Sequence, residues 1–184
     1  NEVQTGLGKI YLGNAFMSVG KRDIGISLIQ EGYVDGRFGR VDQKNIIYKY
    51  KSFLNIEHHK KRISNLLWNK KYRTAQRLIK YVDKDHQKLY EARIGLISFA
   101  GGVDDLISKV PKYLKDDPGL VHDRINWRIK KKKFSSALDL LTKINKNSSQ
   151  DLERPDKFWK LKNYSIRKLI DERRFDEAYR LTIN

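Results

Sequence analysis

Lys70-Lys71-Tyr72-Arg73-Thr74-Ala75-Gln76-Arg77-Leu78 sets an aromatic residue before an alanine at +3 and a leucine at +6. The same spacing returns at Phe134-x-x-Ala137-x-x-Leu140 and Phe175-x-x-Ala178-x-x-Leu181, with Lys132-Lys133 and Arg173-Arg174 directly before the two aromatic residues. Steps of three and six place these side chains on one helical face, and a small residue between two large ones lets a neighbouring helix approach closely. A fourth copy, Arg22-x-x-Gly25-x-x-Leu28, keeps the small and large positions and lacks the aromatic one. The repeat predicts an all-α protein: a superhelical α-solenoid of stacked helical hairpins, tetratricopeptide-like, open or closed as part of a ring. Such folds work by offering a surface.

Length and composition set the outer bounds. The 184 residues suffice for one well-packed domain or several stacked repeats, and we read 1–184 as one helical domain or a piece of it. Absent cysteine removes disulfides, thiolate catalysis and thiolate zinc sites together, without fixing a compartment. The longest nearly unbroken apolar stretch, Ile94 to Val103, is interrupted by glycines and falls far short of the ~20 residues that span a bilayer, so no transmembrane segment is expected. No basic-then-apolar leader opens the chain, which starts and stops inside helical patterns, as a piece excised from something longer would. A formal net charge of +17 attracts anions, although lysine and arginine are also ordinary helix formers and solubilisers.

Start and stop signals predict helices near 3–19, 23–33, 42–54, 57–69 and 72–82, with Asp35-Gly36-Arg37-Phe38-Gly39 as a turn-rich break. Residues 89–100 are apolar on more than one face and are expected deep in the stack, ended by Gly101-Gly102. A helix over 103–114 should be bent or broken at Pro111; Asp117-Pro118 should cap the next, over 119–131, which pairs with 134–144. Residues 145–151 read as a loop, Pro155 opens a helix and Phe175 opens the last, still running at Asn184. Trp68, Trp127 and Trp159 sit near helix ends, where packing at the joints between hairpins is the ordinary role and a sugar-stacking platform the functional one.

Few side chains carry the pattern of a reaction centre. Adjacent His58 and His59 diverge on a helix and cannot chelate one metal, so neither a metal site nor a cofactor is expected. Asp104-Asp105 and Asp116-Asp117 stand at helix starts, where carboxylates cap amides. Gly6-Leu7-Gly8 lacks the rest of a dinucleotide fingerprint. Glycoside cleavage needs a sheltered carboxylic acid, and the glutamates read as solvent-facing positions on amphipathic helices. The basic runs Lys49-Tyr50-Lys51, His58-His59-Lys60-Lys61-Arg62, 128–133 and Arg167-Lys168 could form a phosphate stripe, but no fold signature for specific nucleic-acid readout accompanies them. Arg128, Lys130, Lys131 and Trp159 are the candidate substrate contacts, and no catalytic residue is assigned.

The hairpins have a familiar wording. Glu57-His58-His59-Lys60-Lys61-Arg62 leading to Leu66-Leu67-Trp68, then Ala75-x-x-Leu78-Ile79 and Val110-Pro111, resembles the N-terminal superhelical region of soluble lytic murein transglycosylases of α-proteobacterial type. Asp117-Pro118-Gly119-Leu120, Asp123-Arg124-x-x-Trp127-Arg128, Ala137-x-x-Leu140-Leu141, Arg154-Pro155-Asp156-x-Phe158-Trp159 and Phe175-Asp176-Glu177-Ala178-Tyr179 continue the likeness in the same order. One departure is visible, since Lys160-Leu161-Lys162 follows Phe158-Trp159 where the family commonly has two tryptophans and then an arginine. The resemblance implies a periplasmic, non-catalytic superhelical domain that positions or binds peptidoglycan glycan strands. Non-hydrolytic MurNAc-GlcNAc cleavage would then belong to a lysozyme-like catalytic domain following residue 184. The rival expectation is a basic tetratricopeptide-like adaptor that binds acidic protein or nucleic acid.

Overall fold

The computed structural model describes residues 5–147 and 153–183. It is all-helical, with no strand among the described residues. The helices are α1 (Gly6–Ser18), α2 (Arg22–Asp35), α3 (Arg40–Lys49), α4 (Ile56–Trp68), α5 (Tyr72–Gln76), α6 (Lys84–Ser98), α7 (Val103–Ser108), α8 (Pro118–Lys130), α9 (Phe134–Asn147), α10 (Pro155–Asp171) and α11 (Phe175–Thr182). Two compact units, Asn1–Tyr90 and Glu91–Asn184, divide the chain within α6. In the first, α1 packs on α2, α2 on α4 and α4 on α5; in the second, α8 packs on α9 and α10, and α10 on α11. Contact between helices adjacent or next but one in the chain is the packing of a solenoid, as the repeat predicts.

The repeat proves to be a turn as well as a packing face. Lys70, Lys132 and Arg173 occupy the left-handed region at φ 57°, 58° and 59°, and Gly20 does so in the fourth copy at φ 81°. In each copy the next amide returns to a carbonyl five residues back: Lys21 to Phe16, Lys71 to Leu66, Lys133 to Arg128 and Arg174 to Leu169, at 2.8–2.9 Å. That bond closes the first helix of the hairpin. The same basic residue then caps the second helix, its carbonyl accepting the amide of the small residue, Gly25, Ala75, Ala137 or Ala178, at 3.0–3.2 Å. All four small residues are buried.

Close approach is most pronounced between α1 and α2. A Cβ on Gly13 would stand 2.6 Å from the Gly25 carbonyl oxygen, and one on Gly32 2.5 Å from that of Gly6. Both helices thus present glycines seven residues apart, and backbone meets backbone twice. Ile10, Ile29, Tyr33, Ile46, Tyr50 and Leu54 form the core beside this contact.

Caps follow the sequence where its signals are strong. Thr5 accepts from the Gly8 amide at 3.1 Å, and Asp117 from the Leu120 amide at 2.8 Å with Pro118 at the first helical position. Asn55 and His58 form a reciprocal capping box. Several boundaries depart from expectation. Residues 72–82 do not form one helix: α5 ends at Gln76 and a 3₁₀ turn spans Ile79–Tyr81. The break expected at Pro111 is present: α7 stops at Ser108, and a separate 3₁₀ turn, Lys112–Leu114, follows the proline, whose missing amide cannot continue the helix. α9 runs on to Asn147, inside the expected loop; 148–152 lie outside the described residues, as do the first residues of the expected 3–19 helix. α11 ends at Thr182 rather than running through Asn184, which is also outside them.

Candidate functional site

Several likeness-bearing residues, among them His59, Arg62, Gly119 and Asp123, hold the fold, while Trp159, Phe175 and Tyr179 are exposed. Arg62, with no side-chain exposure, donates to the Tyr33 carbonyl, to the Gly36 carbonyl at 2.9 Å and to Gln43 Oε1 at 3.3 Å, and its guanidinium lies 4.8 Å and 4.7 Å from the Tyr33 and Phe38 rings. Burial lowers its pKa to about 10. His59, one turn earlier on the same inward face, shares a 2.8 Å hydrogen bond with the Tyr33 hydroxyl and stacks on Tyr81 at 5.0 Å. The basic run at 58–62 is therefore not a phosphate stripe. Helical period turns two of its members into the core while Lys60 pairs with Glu57 and Asp83 at 3.0 and 3.1 Å.

The second unit repeats this arrangement. Arg93, also without side-chain exposure, donates from Nε to Asp123 at 2.9 Å, and its Nη1 lies 3.9 Å from Asp117. A Cβ on Gly119 would fall on the Arg93 guanidinium, which explains the glycine after Asp117-Pro118. Burial pushes the Asp117 carboxyl up against the field of Arg93. Arg128, a candidate contact, donates to the Ser136 carbonyl at 2.9 Å and so ties α8 to α9.

The hairpin-turn edge of the second unit is where exposed candidate contacts gather. Phe99 ends α6 in the left-handed region at φ 58° with 38% exposure. Lys130 and Lys131 place their ammonium groups 5.4 and 6.0 Å from its ring, and Lys131 and Lys133 stand 6.0 and 5.3 Å from the half-buried Trp127. Farther along, Lys168 and Arg174 lie 4.2 and 6.0 Å from the ring of Phe134. The candidates Lys130 and Lys131 are thus brought together with Trp127. Trp159 lies apart on α10 with 60% exposure, which removes it from the joint packing expected of all three tryptophans; Trp68 is buried. Lys130, Lys131, Lys132 and Lys133 are exposed and form no ion pair among the described residues. Cations against ring faces leave flat apolar surface beside positive charge, an arrangement suited to an anionic polymer with apolar faces.

Sequence reasoning missed Phe99. The sequence placed it with the rest of 89–100 deep in the stack; Leu89, Tyr90 and Leu96 are buried there, whereas Phe99 is 38% exposed at the helix end. The described glutamates Glu31, Glu57, Glu91, Glu153, Glu172 and Glu177 are exposed or half-buried, and no cluster of three metal-ligating side chains occurs among the described residues. No helix among them is long and apolar enough to cross a membrane. A comparison of the chain with known protein families, curated proteins and solved structures finds no match.

Proposed function

We propose that this chain is a non-catalytic helical domain of a peptidoglycan lytic transglycosylase, periplasmic, that holds murein glycan strands for MurNAc-GlcNAc cleavage by a domain outside it. The observation that carries the proposal is the hairpin-turn edge of Phe99, Trp127 and Lys130 to Lys133. Murein strands offer sugar rings with apolar faces and peptide stems with carboxylates, which match rings and lysines set side by side. The ordered likeness of the hairpins supports the same reading.

Sedimentation with purified sacculi tests it. Binding is expected to fall steeply with salt and to weaken at least about tenfold in Lys130→Gln/Lys131→Gln, since exposed charge contacts are screened within a Debye length of ~8 Å at physiological ionic strength. Retention unchanged up to ~1 M salt would reject an electrostatic mechanism. Equal retention on DNA and on sacculi would favour instead a basic adaptor for acidic protein or nucleic acid.

A further inference from the structure

A groove of about 400 Å³ opens in the first unit between α3 and the segment running from α5 through the 3₁₀ turn at Ile79–Tyr81. Arg40, Lys44, Arg77 and Lys80 line it together with the neutral Gln43, Gln76 and Tyr81 and the apolar Ile47 and Leu78, and no carboxylate does. A strongly basic protein has many lysines on its surface, so their number alone identifies nothing. The arrangement of the groove is more specific.

Gln43 is only 4% exposed yet reaches the lining. Its Oε1 accepts from Arg62 Nη2 at 3.3 Å, and because a guanidinium can only donate, the carboxamide has a single sensible orientation. The Nε2 amide, a pure donor, is therefore the group left for the groove. Behind it Arg62 is buried without a carboxylate partner among the described residues; Asp35 contributes a field but no ion pair. Uncompensated positive charge in a poorly solvated position reaches farther than the same charge in water. Arg77 is fixed in place, donating to the Arg73 carbonyl at 3.0 Å and to Thr74 Oγ1 at 3.2 Å, and Lys80 rests 5.1 Å from the Tyr81 ring. Arg40 and Lys44 make no ion pair among the described residues.

We infer that this groove is a binding site for a compact oxyanion carrying two or more negative charges, phosphoryl or carboxylate, seated between Arg40, Lys44, Arg77 and Lys80 with Gln43 Nε2 donating from its floor. All four charged side chains of the lining are cations, and the Gln43 carboxamide among its neutral groups is oriented by a buried arginine that can only donate. The site belongs to the first unit and does not depend on the murein reading, which rests on residues of the second.

Calorimetric titration of the 184-residue chain at low salt, with sodium pyrophosphate in one series and citrate in the other, tests the inference. Tighter binding of pyrophosphate assigns a phosphoryl ligand and tighter binding of citrate a carboxylate one. In either case Arg40→Gln/Lys44→Gln is expected to weaken the preferred probe by at least about tenfold. Lys109→Gln/Lys112→Gln, which removes the same charge from exposed positions elsewhere, should change it by less than about twofold. Gln43→Glu separates binding from folding: a carboxylate satisfies Arg62, so the urea midpoint should hold or rise while the probe is lost. Absence of binding by both probes, or equal weakening in the two double variants, or undiminished binding by Gln43→Glu, would overturn it.

Discussion

At Lys70, Lys132 and Arg173 an ordinary side chain holds a backbone conformation that glycine adopts freely, as Gly20 does in the first hairpin. The left-handed region costs an L-residue roughly 1–2 kcal/mol, part of which favourable contact between a cation and the end of a helix dipole recovers. Lys132→Gly is accordingly expected to raise stability by about 0.5–1 kcal/mol in urea denaturation, and Lys132→Val, β-branched, to lower it by more than the glycine gains. Equal stability of all three would show that the turn is set elsewhere. The basic doublets were plain in the sequence, but their reason was not, because a lysine gives no sign of positive φ. A different residue-scale effect belongs to His59. Burial, the neighbouring His58 and Arg62 all lower its pKa, so the folded chain resists a proton that the unfolded chain accepts near pH 6.5. The corresponding stability is complete above that pH and is lost as pH falls below it toward the folded pKa. The urea midpoint should therefore drop between pH 7 and pH 5, and drop less in His59→Gln; an equal slope in the variant would place the effect on other groups.

Between elements, the α1/α2 contact shows how glycines can set a crossing. Gly13 against Gly25 and Gly6 against Gly32 leave no room for a Cβ on either helix. Gly25→Ala is expected to cost about 1–3 kcal/mol, and Gly13→Ala a similar amount. Because the two residues touch, the double variant should cost less than the sum, once one insertion has already parted the helices. Full additivity would mean that the helices do not open as a pair. Helix existence could be read from period and caps at nearly every place: Asp117-Pro118 started α8 and Phe134 started α9 as expected. Helix length was harder. Tyr72 to Val82 has an unbroken apolar period, yet α5 yields to a 3₁₀ turn after one and a half turns, since Leu78 and Ile79 are both drawn into the core. That pull comes from tertiary packing, which period alone does not contain.

For the whole molecule the governing quantity is charge. Sequence supplied the total of +17, and it predicted an anionic ligand, but it assigned Arg62 to a surface run that the fold dismantles. Which cations remain outside is a property of helix phase and burial, so the lysine edge at 130–133 and the groove around Gln43 became visible only in three dimensions. Unpaired surface charge also acts on the fold. Like charges drawn into a compact body repel one another, and at ~0.01 M ionic strength, with a Debye length of ~30 Å, that repulsion spans a small domain. Raising NaCl to ~0.15 M shortens the reach to ~8 Å. Melting temperature is therefore expected to rise over this interval, while retention on sacculi falls over the same interval. Exposed pairs such as Lys9 with Glu31 at 3.0 Å and Arg174 with Glu177 at 2.8 Å work in the opposite direction, because salt weakens them too. Their individual contributions are small beside an excess of seventeen positive charges, so the repulsive term should decide the sign. A melting temperature that fell with added salt would reverse that ranking and place the chain's stability in its ion pairs.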